Sequence, residues 1–536
     1  MPHTPPPTPP PSDDMTRPDI VISADFGTSS VKVIAVDAAF RILARASEPY
    51  PLHLGAGGMA EQMPEDWWTA LTRACTRLRN DLPDLKSRVG ALVFGSQMCN
   101  VICVGKDHQP LRPCLSWLDK RAAPLGRKLI GGFPELHGYN LPRLAQWLRI
   151  ANGAPAKNGM DPTAKFLWLR QNAPDIWAET RWLMDAKDWL LLRATGIAST
   201  SAESANLSWM MDSRAGREGW SPKLARITGI DLDKMPPIVD GAAVLGPLTE
   251  RAASDLGLGA HVRVMGGASD VTAAALGSGE VADGALHICT STSCWIAGFF
   301  PSRRLSVAVS YATIASAVGF RPLLVASQEN AGSALQWAAQ VTGADTSSGD
   351  DTDGMAAAFA GLGAPQPDDP FFLPWLTGER APVDDDRLRG GFHGLALHHD
   401  ANTMRRAAIE GVVLNTRWAY SRVSREKGVR HDGPISLVGG VAANATYAQM
   451  LADALNREVR VGAARYAGPL GAATLAAPVM GWAADPWQAA RRLRDRTTTA
   501  SYSPEPARVA ALDARYTRLQ KVRRAMLRLR EQGAAP

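Results

Sequence analysis

A strand–turn–strand unit occurs twice in this chain, at positions far apart. The first copy, Asp19 to Ala38, reads DIVISADFGTSSVKVIAVDA, with apolar runs from Ile20 to Ala24 and from Val31 to Val36 around a Gly/Ser/Thr turn. The second copy, Gly284 to Phe299, reads GALHICTSTSCWIAGF, with an all-hydroxyl turn from Thr290 to Ser293. Such a repeat predicts a duplicated domain whose two turns face each other. Small residues in each turn offer backbone N–H groups and hydroxyls in a concavity that suits phosphate oxygens. The alternation after Ser30 separates the first turn from a P-loop, which needs a helix there. Asp25 ends the first strand, with Thr28, Ser29 and Lys32 just beyond it. A carboxylate beside an anion nest suits Mg²⁺, and Lys32 adds a point charge. An ordinary hairpin with an Asx turn is the competing reading.

Two other stretches run from strand through paired glycines into helix. Val262 to Gly277, VRVMGGASDVTAAALG, places one carboxylate, Asp270, at a helix entrance. Asp270 as a plain N-cap is the alternative to a functional role. Ile435 to Ala448, ISLVGGVAANATYA, predicts glycines (Gly439, Gly440) that let backbone approach a planar ligand, with the Asn444 amide reading its polar edge. Between these, the strand Ala91 to Phe94 leads into Gly95-Ser96-Gln97-Met98-Cys99-Asn100, and Trp117, Asp119 and Arg121 follow a further apolar segment. Polar groups at successive strand ends are where an open α/β sheet keeps its ligand groups. Trp117 is read either as a stacking surface for a sugar ring or as a core residue.

The remainder of the chain sets bounds. At 536 residues, 46% hydrophobic and 21% charged, it is long enough for more than one domain and a cleft between them. A net charge of +6 without a compact basic run argues against nucleic acid. No apolar run is long enough to span a bilayer. The six cysteines lack CxxC spacing, which predicts free thiols in a reducing cytoplasm. Met1 to Pro18 reads as a proline-rich disordered arm, passive or a docking peptide. Pro64 is expected to open a helix packing on Trp67, Trp68, Leu71, Ala74, Cys75 and Leu78. The Gly/Pro-rich interval from Pro124 to Pro155 reads as a loop insertion at a cleft rim. Glu379 and Arg380 read as an internal ion pair, Thr403 as a helix cap, and residues 485–536 as a basic helical extension.

Together these segments resemble the FGGY carbohydrate kinases, nearest their xylulokinase branch. The matching stretches are Asp25-Phe-Gly-Thr-Ser-Ser-Val-Lys32, Glu61-Gln-Met-Pro-Glu-Asp-Trp-Trp68, Arg112-Pro-Cys-Leu-Ser-Trp-Leu-Asp119, Gly266-Gly-Ala-Ser-Asp270, Phe372 to Arg380, Gly390 to Leu395, Glu410-Gly411 and Gly439-Gly440, in family order. The resemblance implies an α/β chain with two actin-like, ribonuclease H-like ATPase domains around an interdomain active-site cleft, the N-terminal one over 19–277 and the C-terminal one over 278–484. It implies ATP and Mg²⁺ as cofactors, a small ketose or polyol as acceptor, a cytoplasmic enzyme, and leaves a homodimer open. Residue by residue, Asp270 matches the catalytic base and Asp25 the carboxylate near Mg²⁺. Thr28, Ser29 and Lys32 match the first phosphate turn, Ser291 and Thr292 the second, and Gly439, Gly440 and Asn444 the adenosine segment. Met98, Cys99, Trp117 and Val271 fall on the sugar side. The chain departs from the pattern at three places: Cys99 stands for the family His, Val271 for an Asn, and Ser291 for a Gly. Those departures argue against assuming D-xylulose and leave a weakened, kinase-like sugar- or nucleotide-binding protein as the alternative.

Overall fold

The computed structural model describes residues 18–136, 138–345, 351–385 and 387–531. The proline-rich arm, but for Pro18, lies outside the described residues.

The first sheet grows from the hairpin of β1 (Ile20–Phe26) and β2 (Ser30–Val36), extended by β3 (Ile42–Pro49). Helix α1 (Pro64–Asp81) buries its Trp67, Trp68, Leu71, Ala74, Cys75 and Leu78 on this sheet, the face that 3.6-residue spacing predicts. Strand β4 (Val89–Ser96) then joins parallel to β1. A run of helices follows: α2 (Ala123–Ile130), α3 (Leu141–Ala151), α4 (Pro162–Asn172), α5 (Ala186–Thr195) and α6 (Ala202–Leu207). Strands β5 (Val244–Pro247) and β6 (Arg263–Met265) return to the sheet before helix α7 (Asp270–Ser278). The order is β5-β6-β4-β1-β2-β3.

The second sheet repeats the plan. Its hairpin is β7 (His287–Thr290) and β8 (Cys294–Phe299), followed by β9 (Tyr311–Ala315), β10 (Pro322–Gln328), and the helices α8 (Gly332–Val341) and α9 (Ala401–Val423). Then come β11 (Ile435–Val438), α10 (Ala445–Leu455), β12 (Val459–Gly462), α11 (Ala467–Ala473), α12 (Pro486–Thr497), β13 (Thr498–Tyr502) and α13 (Pro506–Glu531). The order is β9-β10-β8-β7-β11-β12-β13. In both sheets two parallel strands lie on one side of an antiparallel hairpin, with an antiparallel strand at that edge; on the other side the first sheet adds β3, whereas the second adds β10, β9 and a two-residue strand, Leu305–Ser306. The segment after Asp485 gives the second sheet its edge strand, β13, and adds α12 to the core between the lobes.

That shared core holds α7 and α11 between the two sheets, with Val21, Val93, Leu276, Phe299, Leu470 and Leu493 buried together. The two helices touch backbone to backbone. A Cβ on Gly471 would lie 1.9 Å from the Ala273 carbonyl, and one on Gly277 2.0 Å from that of Ala467. Glycine is the residue that permits this approach.

Three local expectations are corrected. The interval Pro124–Pro155 is no loop: α2 and α3 occupy it and bury Leu129, Ile130, Trp147 and Ile150 in a small core of their own. Helix α9 is capped by Asp400, which accepts from the amide and hydroxyl of Thr403, so Thr403 is the donor and not the cap. Arg380 pairs with Glu329 at 2.7 Å, whereas Glu379 accepts from the Glu329 and Arg380 amides and from Asn415. All six cysteines are unpaired thiols, and no helix among the described residues is long and apolar enough to cross a membrane.

Candidate active site

The end of β1, the start of α7 and strand β7 come together where the lobes meet. The Asp25 charge helps raise the Asp270 pKa, and the Cys289 thiol on β7 is pushed up by burial with both carboxylates contributing. Asp25 is half-buried and accepts no hydrogen bond from a described residue. Glycines give it room: a Cβ on Gly468 would lie 2.5 Å from its Oδ2, and one on Gly95 3.4 Å from Oδ1. Burial raises its pKa and Lys32, its cross-strand partner on β2, opposes the shift. A partly exposed carboxylate that accepts from no described residue has the donor chemistry of a Mg²⁺ ligand, so the residues present fit that ion.

Asp270 is the first residue of α7 and not its cap. Ser269 occupies the cap position without a side-chain cap bond, and Asp270 Oδ1 accepts from the Val271 amide at 2.9 Å. Its Oδ2 takes no hydrogen bond from a described residue. Burial first, then the charges of Asp25 and Glu203, push its pKa up to about 7. A carboxylate so tuned can take a proton near neutral pH. Val271, 7% exposed, is packed in the core between the lobes.

The two turns are braced from outside. The Tyr50 hydroxyl donates to the carbonyls of Gly27 and Ser30 at 2.5 and 3.0 Å, and the Thr28 and Ser29 amides find no acceptor among the described residues. In the second turn, amides at the start of α8 (Gly332, Ser333) and the preceding Ala331 donate to the carbonyls of Ser291 and Thr292. Ser291 has a negative φ, so a side chain in place of glycine strains nothing there. Gly439, at φ 98°, is glycine because a Cβ would fall 2.3 Å from the Thr290 carbonyl of β7. Gly440 is half-buried beside it. Asn444 caps α10, its Oδ1 accepting from the Tyr447 amide at 2.9 Å, so that oxygen is already engaged.

Cys99, expected on the sugar side, adopts φ 65°, a left-handed conformation that side chains other than glycine rarely take. Two buried charges hold it. Asp185, the cap of α5, accepts from the Cys99 and Asn100 amides at 3.0 and 3.1 Å and from the Asn100 side chain at 2.9 Å. Lys165 on α4, with no exposed surface, donates to the carbonyls of Cys99 and Ser116 at 2.8 and 2.7 Å. Trp117 joins the two sides: its indole donates to the Thr28 hydroxyl at 3.1 Å and its amide to Asn100 Oδ1 at 3.0 Å. Met98 packs at the edge of the interlobe core. Asp119 and Arg121 are spent on each other and on Glu61. A separate hollow of about 360 Å³, lined by Lys128, Leu129, Arg143 and Arg170 among others, touches none of these residues.

Sequence reasoning missed Tyr50, Lys165, Asp185 and Glu203. Asp185 had a signal, since Asp185 and Asp188 form a capping box. Lys165 had none. Lys165→Met keeps the volume but leaves two buried carbonyls without a donor. The expected result is a rise of about tenfold in KM for the sugar with KM for ATP unchanged, read from steady-state ADP release.

The chain resembles known proteins over most of its length. The description "FGGY family of carbohydrate kinases, N-terminal domain" fits residues 20–277, and the corresponding C-terminal domain fits 291–480. The xylulose kinase of Escherichia coli is 29% identical, covering 85% of this chain and 89% of its own. That of Lactococcus lactis is 26% identical over 92% and 95%, and the gluconokinase of Bacillus subtilis 25% identical over 85% and 86%. Among solved structures, a xylulose kinase from Brucella ovis superposes with TM-score 0.81 at 25% identity, covering 95% of this chain and all of its own. The ADP-bound glycerol kinase of Plasmodium falciparum gives 0.78 at 18% identity, over 94% and 98%, which speaks for the fold. With both of its halves matched, the chain belongs to the FGGY family of carbohydrate kinases.

Proposed function

We propose that this kinase transfers the γ-phosphate of ATP to a hydroxyl of a small ketose, a xylulose-like pentulose, or of a polyol, with Asp270 as general base. The observation that carries the reading is the pair Asp25 and Asp270, two carboxylates from distant parts of the chain that lie near enough for the Asp25 charge to raise the Asp270 pKa, each keeping an oxygen that accepts from no described residue. Asp270 takes the proton of the acceptor hydroxyl as its oxygen bonds to the phosphorus and the bond to ADP breaks. The amides of Thr28 and Ser29, with Lys32, suit the phosphates; Ser291 and Thr292 line the facing turn; Gly439, Gly440 and Asn444 flank the adenosine. Mg²⁺, when bound beside Asp25, neutralises charge on the phosphates. Met98, Cys99 and Trp117 lie against the sugar, and closure of the lobes would exclude water from it. Six unpaired cysteines, five of them buried, fit a reducing cytoplasm.

The deciding experiment is a coupled ADP-release screen with MgATP over pentuloses, hexuloses and polyols, with gluconate included because two relatives are named gluconokinase. Turnover with one sugar class is the expected result. Tight sugar binding by calorimetry with no ADP from any acceptor would overturn the kinase reading.

A further inference from the structure

Glu203 lies in the first turn of α6 and has no exposed surface. Its Oε1 accepts from the Ser269 amide and its Oε2 from the Thr272 hydroxyl, itself fully buried. Those two donors stand on either side of Asp270 in sequence. A buried carboxylate that gives both oxygens to neutral donors carries a desolvation cost that such bonds only partly offset, which makes it a poor stabilising device. What it does provide is direction: two hydrogen bonds, one to the backbone amide before Asp270 and one to the hydroxyl two residues after it, fix the first turn of α7.

The rest of α6 is similarly engaged. Ser204 donates to Asp185, the carboxylate that holds the Cys99 turn, at 3.2 Å. Asn206 donates to the Ala151 carbonyl at 3.0 Å and accepts from the Ala315 amide of the second lobe at 2.9 Å. One short helix thus contacts the base helix, the sugar-side turn and the opposite lobe.

We infer that Glu203 is a positioning residue for phosphoryl transfer: through Ser269 and Thr272 it holds the first turn of α7 so that the Asp270 carboxylate meets the acceptor hydroxyl. This rests on Asp270 being the base. The charged groups around the pair are Lys187 and Asp185 from the α5 region and Asp25 from β1. Misplacement of a reacting group by about 1 Å can cost about 10²-fold in rate, so the effect belongs in kcat.

The test uses the full chain with MgATP and the sugar giving most ADP in the screen. Glu203→Gln is expected to lower kcat about 10–100-fold with both KM values within about twofold. Thr272→Val should act in the same direction, Thr272→Ser should retain the wild-type rate, and the double variant Glu203→Gln/Thr272→Val should lose no more than the worse single one. A purely structural role would lower the melting temperature and leave the rate of the folded enzyme unchanged. Should Glu203→Gln not fold, the contrast between Thr272→Val and Thr272→Ser decides. Wild-type kcat in both Glu203→Gln and Thr272→Val, or a loss confined to KM, overturns the inference. Asp270→Asn separates the two readings. If it is inactive while the Glu203 and Thr272 variants turn over normally, only the positioning role fails; if it is fully active, the base assignment itself fails.

Discussion

Asp270→Asn is expected to lower kcat by about 10²–10⁴-fold while sugar and ATP still bind, because the amide keeps the shape and loses the proton acceptor. The same substitution has a second, opposite signature in stability. The folded pKa of about 7 lies above the ordinary 3.8, so between these values the native state holds a proton that the unfolded chain has released. Stability therefore falls as pH rises through that window, and the penalty is fully present above pH 7. Asparagine removes it. In metal-free buffer at pH 8 the variant should be more stable than the wild type, by up to about 4 kcal/mol, and at pH 4 the two should coincide. Urea melts at the two pH values read this directly. A variant that is equally stable at pH 8 would mean that Asp270 is not held in a desolvated, acid-crowded place. A variant that is more stable but fully active would mean that some other group takes the proton.

The strand–turn–strand units were legible because their hydroxyl-rich turns interrupt apolar runs, and the repeated sheet order bears out a duplicated domain. The packing face of α1 was equally plain, since its apolar residues recur at helical spacing. The helices α2 and α3 were hidden by Gly131, Gly132, Pro134 and Gly138, which punctuate the connection between them and so gave the whole interval a loop-like look. Leu129, Ile130, Trp147 and Ile150 carried the contrary signal. The buried charges were illegible for a different reason. Helices α4 and α5 are covered on several sides, so Lys165 and Asp188 interrupt no polar stripe and read like solvated residues. Glu203 sits among serines and alanines that point to no chemistry, and only its contacts to Ser269 and Thr272, distant in sequence, give it a role. Gly439 shows the converse: its glycine was legible, but the backbone it approaches is β7.

Gly471→Ala is expected to damage the protein more than any surface change. Its new Cβ would lie 1.9 Å from the Ala273 carbonyl and 2.5 Å from the Gly277 amide, both backbone atoms of α7. No rotamer change relieves such a contact, so α7 and α11 must move apart. Their separation opens the core between the lobes, where Leu276 and Leu470 pack together. The expected loss is about 3–5 kcal/mol, read as a lower urea midpoint at unchanged slope. The site should suffer beyond the stability loss. Asp270 opens α7, and Gly468, whose lack of a side chain leaves room for the Asp25 carboxylate, lies in α11. A wedge between the helices therefore moves the two carboxylates relative to each other. Enzyme that remains folded at low temperature should show a kcat deficit of tenfold or more, since a displacement of about 1 Å can cost about 10²-fold. Gly391→Ala is the control: a Cβ there meets nothing within 4 Å and its φ is not positive, so stability should change by less than about 0.5 kcal/mol. Wild-type stability in Gly471→Ala would mean that the two helices pack less closely than described. Wild-type kcat in its folded fraction would separate the helix packing from the alignment of Asp25 with Asp270.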